Sequence, residues 1–211
     1  MSVFMSVLTA VMGYLLGGIN FGIIVSKLMF HDDVRGHGSG NAGMTNVLRT
    51  FGKLPAAVTL VGDIGKGVLA VVLGRLLLGS FTVLDPAYGA YIAGLAAILG
   101  HLFPVYFRFK GGKGVSVSAG VVLAVQPVLF VPVAVTFLVV FLCSKIVSLS
   151  SILAAVALPV SALIFCLCTH QAFWPLLAFA VIVAGLVIYM HRSNIVRLKN
   201  GTEYKFGQKK K

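Results

Sequence analysis

Long apolar runs separated by short polar segments make up the chain, at about 3–26, 55–79, 87–107, 147–168 and 172–190. Each is near the roughly 20 residues that a helix needs to cross about 30 Å of hydrocarbon. Backbone polar groups must be satisfied internally there, so the pattern predicts helices. A further run, 115–143, is too long for one upright helix and is interrupted at Gln126-Pro127, where proline removes a helix donor. Read as two helices, its first half, about 113–125, is short and is expected to be partial or tilted, with its end buried against protein.

Composition sharpens this picture. The 211 residues are 59% hydrophobic and only 10% charged, against roughly 25% charged in a soluble domain. That excludes water-soluble classes and ordinary nucleic-acid binders. The 17 Lys+Arg outweigh 5 Asp+Glu, and their placement orients the chain. With two helices in 115–143 and the N-terminus outside, every basic residue except Arg75 falls on the cytoplasmic side. A single helix there would send Lys145 and the whole basic tail across the membrane, against the positive-inside rule. The expected fold is all-α: a polytopic integral membrane helical bundle of seven transmembrane helices in one domain, 1–211, with N-terminus outside and C-terminus cytoplasmic. Met1 to Val25 lacks the basic start of a signal peptide and is read as a span. Cys143, Cys166 and Cys168 lie in apolar runs and are read as small apolar side chains.

Candidate chemistry lies in the inner segments. The first runs from Arg35 to Arg49 and has four glycines in eight positions, Gly36, Gly38, Gly40 and Gly43. Such a backbone can approach a ligand and turn successive N–H groups toward an anion. Ser39, Asn41, Thr45 and Asn46 add side-chain donors, and Arg49 offers a forked guanidinium for phosphate. The alternative is a polar turn with a helix cap at Asn46. The second segment, Phe109-Lys110-Gly111-Gly112-Lys113-Gly114, departs from P-loop spacing: Phe107 replaces the first glycine and Gly114 the hydroxyl residue. Two lysines in a flexible loop remain, with Lys113 at the start of a helix that favours an anion. Ordinary inner-loop lysines account for Lys110 but leave the glycines unexplained.

Asp63 and Lys66 share a helix face inside the second span. They read equally as a functional pair or as a salt bridge holding the first loop. His101 reads as a hydrogen-bonding scaffold, and Ser148 and Ser151 are weak signals at a helix contact. In the last segment, His191 and Asn194 face the same way if the seventh span runs on as a helix. Arg192 and Arg197 read also as interfacial anchors, and Lys209, Lys210 and Lys211 as a lipid-attracting or solvated tail. The chain lacks a Gly-x-Ser-x-Gly elbow, a His followed five places on by Asp, and any metal-type cluster of ligands. Five acidic residues leave little room for two-carboxylate catalysis.

In order along the chain stand Gly38-Ser39-Gly40-Asn41-x-Gly43-x-Thr45-Asn46 with Arg49, Asp63-x-x-Lys66-Gly67, and Gly100-His101-x-x-Pro104. Phe109-Lys110-Gly111-Gly112-Lys113-Gly114-Val115 and His191-Arg192-x-Asn194-Ile195-x-Arg197-Leu198 complete the series. In these motifs, over essentially its whole length, the chain resembles the bacterial acyl-phosphate:glycerol-3-phosphate acyltransferases. The resemblance implies a seven-span enzyme of the bacterial inner membrane, without cofactor or metal, that transfers a fatty acyl group from acyl phosphate to the sn-1 hydroxyl of glycerol 3-phosphate. The products are lysophosphatidic acid and phosphate, in the first acylation of phospholipid synthesis.

The resemblance also implies a phosphate and acyl-transfer pocket of Ser39, Arg49, Lys113, His191 and Asn194. Gly38, Gly40, Asn41, Thr45, Asn46, Lys110, Gly111, Gly112 and Ser148 then bind substrate, and Asp63, Lys66 and His101 support. Ser116-Val117 stands where the family usually has Ala-Thr. The implied partners are acyl phosphate, glycerol 3-phosphate, membrane lipid and the enzyme that makes acyl phosphate. The proton acceptor is either His191 or a substrate phosphate. The three inner segments are expected to form one cationic cup. A permease for phosphorylated solutes is the competing class, but it would place polar groups near mid-membrane between repeats, and no repeat is visible here.

Overall fold

The structure, a computed structural model, describes residues 1–169 and 173–207. Lys209, Lys210, Lys211 and most of the outer connection expected at about 169–171 lie outside them. The described residues are helical, with short connections and no strand. Five stretches are long and apolar enough to cross a membrane, and a sixth is reached if the bent pair at the C-terminal end counts as one span. The helices fall into two compact units, Met1–Val125 and Gln126–Lys211.

In the first unit, α1 (Ser2–Gly18) and α2 (Phe21–Phe30) replace the single helix expected at 3–26. The chain leaves helical geometry at Ile19 and re-enters with Asn20 as cap, its side chain accepting from the Ile23 N–H. The short α3 (Met44–Phe51) leads into the 29-residue α4 (Lys53–Phe81). Next come α5 (Pro86–Leu102), a 3-10 turn at Val105–Phe107 where the sequence predicts helix to continue, and α6 (Val115–Val125). Small residues let these helices meet at backbone distance. A Cβ at Gly17 of α1 would strike the Ala97 carbonyl of α5, and one at Gly74 of α4 would strike the Gly89 carbonyl of α5. No larger residue fits either position without moving a helix.

The break at Gln126-Pro127 is where the sequence predicts it, and α6 is short, with 11 residues. Its last carbonyls meet Arg75 of α4, whose Nη2 donates to Val125 O at 2.7 Å and Ala124 O at 3.3 Å. The basic residue that breaks the charge pattern thus caps the C-terminal end of α6.

The second unit contains α7 (Pro127–Ser144), α8 (Val147–Thr169), α9 (Phe173–Met190) and α10 (Arg192–Lys199). α7 packs on α8 and α8 on α9. The seventh run does not continue as one helix: the chain bends by 60° between Trp174–Met190 and Arg192–Lys199, at His191. The Phe206 N–H donates to Lys145 O at 2.7 Å, which returns the last described residues to the start of α8.

Candidate functional site

The first glycine-rich segment is a loop wound around one side chain. Asn46, 2% exposed, accepts the Ser39 N–H at 2.9 Å through Oδ1, while its Nδ2 donates at 2.9 Å each to the carbonyls of Val34, His37 and Asn41. Gly38 and Gly40 take left-handed φ of 58° and 70° to close the winding. Gly43, not Asn46, stands at the N-cap of α3, so the predicted cap at Asn46 is absent and its amide organises the loop. Asn41 Oδ1 accepts the Gly43 N–H at 2.9 Å. Thr45 is half-buried in the first turn of α3. Val47 is buried with Val34 and Ala56, and Met44, Leu48 and Phe51 pack on that cluster. Arg49 is on the exposed side of the same helix, and Ser39 is exposed at the loop's crest.

Beneath the second segment is a buried charged cluster. Lys66 Nζ lies 2.7 Å from Asp63 Oδ1 and 2.9 Å from His101 Nδ1, and it donates to the Ile19 carbonyl at 2.8 Å, the one opened by the break between α1 and α2. The three side chains are 1%, 5% and 2% exposed for Asp63, Lys66 and His101. The ammonium sits off the hydrogen-bonding directions of the carboxylate, so the Asp63 pair is held by charge. The cluster joins α4, α5 and the α1–α2 break. His101 continues it upward. Its carbonyl accepts the Gly112 N–H at 3.1 Å, Leu102 O accepts the Gly111 N–H at 3.2 Å, and a Cβ at Gly112 would collide with His101 Nε2. These glycines therefore have a packing reason the sequence reading lacked: only bare backbone can lie on the imidazole just before Lys113. Val117 is fully buried, and Ser118 is buried with no hydrogen-bond partner for its hydroxyl.

Arg35 ties the two segments together. Its Nε and Nη2 grip Asp33 at 2.9 and 2.7 Å, and Nη1 donates to Phe107 O at 3.0 Å and to Lys110 O at 3.1 Å. The guanidinium holds the Asp33 carboxyl below the usual aspartate value, and the carboxylate raises that of Arg35 further. Sequence reading passed over this pair. Its only signal was an Asp two residues before an Arg in a chain with five acids.

In the second unit a single carboxylate gathers the polar groups. Glu203 Oε1 accepts from Asn194 Nδ2 at 2.8 Å and from Ser148 Oγ at 3.0 Å, and Oε2 accepts from Arg197 Nε at 2.7 Å. Burial alone would push this carboxyl up. The hydrogen bonds from Asn194, Arg197 and Ser148 and the Arg197 charge outweigh it, and the group titrates below its ordinary value. Arg197 thus faces a buried carboxylate, and sequence reading did not single out Glu203 as the partner of Arg197, Asn194 and Ser148. His191 is buried at the 60° bend, with Nδ1 2.7 Å from Val187 O. That carbonyl makes Nδ1 a donor, so in a neutral ring the lone pair is on Nε2. Among the described residues no group of three or more His, Cys, Asp or Glu could hold a metal ion.

The chain resembles known proteins in sequence and in fold. The sequence model of one family, glycerol-3-phosphate acyltransferase, matches residues 7–201. The glycerol-3-phosphate acyltransferase of Bordetella pertussis (strain Tohama I) is 46% identical over 206 residues, covering 95% of this chain and 91% of that one. That of Thermoanaerobacter sp. (strain X514) is 43% identical over 204 residues, covering 97% of each. Among solved structures, PlsY (YgiH), an integral membrane glycerol 3-phosphate acyltransferase, is similar in its glycerol 3-phosphate form, with TM-score 0.82 and 37% identity over 96% of each chain. Its lysophosphatidic acid form gives a TM-score of 0.79 over 96% of this chain and 95% of that one.

Proposed function

The chain belongs to the glycerol-3-phosphate acyltransferase family, and on that premise we propose that its acyl donor is acyl phosphate and its product lysophosphatidic acid. The sn-1 hydroxyl of glycerol 3-phosphate attacks the acyl carbonyl carbon, the bond from that carbon to the phosphate oxygen breaks, and inorganic phosphate leaves. The observation that carries this reading is the pair of glycine-rich segments of the first unit, one bearing Arg49 and the other Lys113, tied through Arg35.

Acyl phosphate is already activated, so positioning and anion stabilisation supply most of the acceleration. Arg49 and Lys113 neutralise the two phosphates, with Lys110 adding charge nearby. Ser39 and the N–H groups of the loop from Gly38 to Gly43 orient carbonyl and hydroxyl. The amides of Asn41 and Asn46 hold that loop in shape, Thr45 lines it, and Gly111 and Gly112 let the backbone just before Lys113 pack on His101. Asp63, Lys66 and His101 support this floor. His191, Asn194 and Ser148 serve the same reaction, Asn194 and Ser148 being oriented by Glu203. The hydroxyl proton passes to the departing phosphate or to His191, whose Nε2 can accept it when the ring is neutral.

The protein is a multi-pass membrane enzyme. We assign it seven crossings, counting the short α6 and the bent α9–α10 pair, in the bacterial cytoplasmic membrane with the N-terminus outside. The C-terminus and the reaction then lie on the cytoplasmic side, where the enzyme that makes acyl phosphate would deliver its product. The assay that tests the chemistry uses purified protein with glycerol 3-phosphate and either acyl phosphate or acyl-CoA. Lysophosphatidic acid from acyl phosphate alone is the expected result, and equal turnover with the thioester overturns the donor assignment.

A further inference from the structure

Two adjacent residues of the second segment, Arg108 and Phe109, both have φ of 57°, in the left-handed region that residues with a Cβ rarely adopt. Such a turn persists only where its surroundings over-determine it. Here the two carbonyls that flank it, of Phe107 and Lys110, are both held by Nη1 of Arg35. Inside the turn, the Phe109 N–H bonds Pro104 O at 2.9 Å. The guanidinium is in turn fixed edge-on by Asp33, whose Oδ1 also accepts the Arg35 backbone N–H at 3.0 Å. One side chain from the first glycine-rich segment thus sets the path of the second just before Gly111, Gly112 and Lys113. Lysine could not do this, since a point charge cannot grip a carboxylate with two donors and bridge two carbonyls with a third.

We propose that Arg35, oriented by Asp33, is a positioning residue for the acyl transfer: it holds the Arg108–Phe109 turn in its left-handed form and so presents Lys113 to substrate phosphate. The proposal rests on the reading of Lys113 as a phosphate-binding group. Displacing a positioned group by about an ångström costs on the order of 100-fold in rate. Arg35→Lys is therefore expected to lose roughly 10- to 100-fold in kcat/KM for glycerol 3-phosphate, close to the loss in Arg35→Ala. Asp33→Asn, which keeps the bridge but loosens its orientation, should lose less.

The experiment measures kcat and KM for these three full-length variants and for Lys113→Ala, each checked for an unchanged elution profile and melting temperature. A parallel readout is the distance between spin labels on Gly36→Cys and Phe109→Cys, with native Cys143, Cys166 and Cys168 replaced by alanine. The expected result is a broadened distance distribution in Arg35→Lys together with the kinetic loss. Normal kinetics in both Arg35→Lys and Asp33→Asn, with Lys113→Ala inactive, overturns the proposal and leaves the phosphate reading standing. Kinetic loss with an unchanged distance distribution also overturns it. Near-normal turnover of Lys113→Ala instead removes the phosphate reading itself. Should Arg35→Ala fail to fold, Arg35→Lys and Asp33→Asn decide the matter.

Discussion

Lys66 Nζ and His101 Nδ1 are 2.9 Å apart in the interior of the first unit, and an ammonium can only donate, so this nitrogen carries the lone pair of a neutral imidazole. The ring proton is then on Nε2, the atom that abuts Gly112. A buried lysine is in this way linked to the backbone of the loop that carries Lys113.

Removing one member of the charged pair should therefore cost far more than removing both. Lys66→Met leaves Asp63 buried without a counter-ion and the Ile19 carbonyl without a donor, and about 3–5 kcal/mol of stability is the expected loss. Lys66→Met combined with Asp63→Leu should be markedly more stable than Lys66→Met alone. Thermal unfolding of the purified variants in one detergent measures the difference.

Two glycines separate packing from helix propensity. Gly112→Ala forces the His101 ring or the loop to move and is expected to lower kcat/KM by about 100-fold. Gly65→Ala on α4 meets nothing within 4 Å and should keep full activity while gaining roughly 0.5–1 kcal/mol of stability. Parallel kinetics and melting curves check both.

Asn46→Asp preserves the shape of the side chain and the acceptor for the Ser39 N–H but turns an oxygen toward the carbonyls of Val34, His37 and Asn41. A loss of about 2–3 kcal/mol follows from the lost donor, with activity falling as the loop that carries Ser39 loosens around those three carbonyls. Hydrogen exchange at the backbone of residues 38–41 should rise in the variant.

Glu203 gives a pH signature. Its folded-state value is lowered, so its contribution to stability is complete above the ordinary glutamate value and is lost as pH falls through the lower folded value. Glu203→Gln should flatten this acid limb of the stability profile and release Asn194. Melting temperature against pH, wild type beside variant, is the measurement.

Lys113→Ala and Arg49→Ala are each expected to abolish transfer without changing the melting temperature by more than a few degrees. His191→Ala separates the proton acceptors: a lost pH dependence of kcat favours Nε2, and an unchanged profile favours substrate phosphate.

Much of the fold was legible because hydrocarbon leaves the backbone few options. Runs of apolar residues marked the helices, and Gln126-Pro127 marked the break between α6 and α7. Less visible was the interruption at Ile19-Asn20, since Asn20 is one polar residue in an apolar run and the carbonyl it frees is met by Lys66, 47 residues away. The bend at His191 escaped for a similar reason, because the apolar residues between Gly185 and His191 include no proline or glycine. At the site, the motifs marked residue types but not directions. Asn46 and Asn194 read as substrate donors, yet their amides face Ser39 and Glu203. Arg35 and Asp33 resembled ordinary loop charge. Apart from Asp63, whose pairing with Lys66 was legible, the acids carried an overlooked signal: Asp32 pairs with His37, Asp33 with Arg35, Glu203 with Arg197, and Asp85 caps α5.

The meeting of Arg75 with the end of α6 reaches beyond the protein. Eleven residues rise about 16 Å, roughly half of a hydrocarbon layer of about 30 Å, and a guanidinium waits where the helix stops. Lipid headgroups and water are expected to dip toward that charge and thin the host bilayer beside α6, and turnover in bilayers of graded acyl length would show this as a preference for short chains.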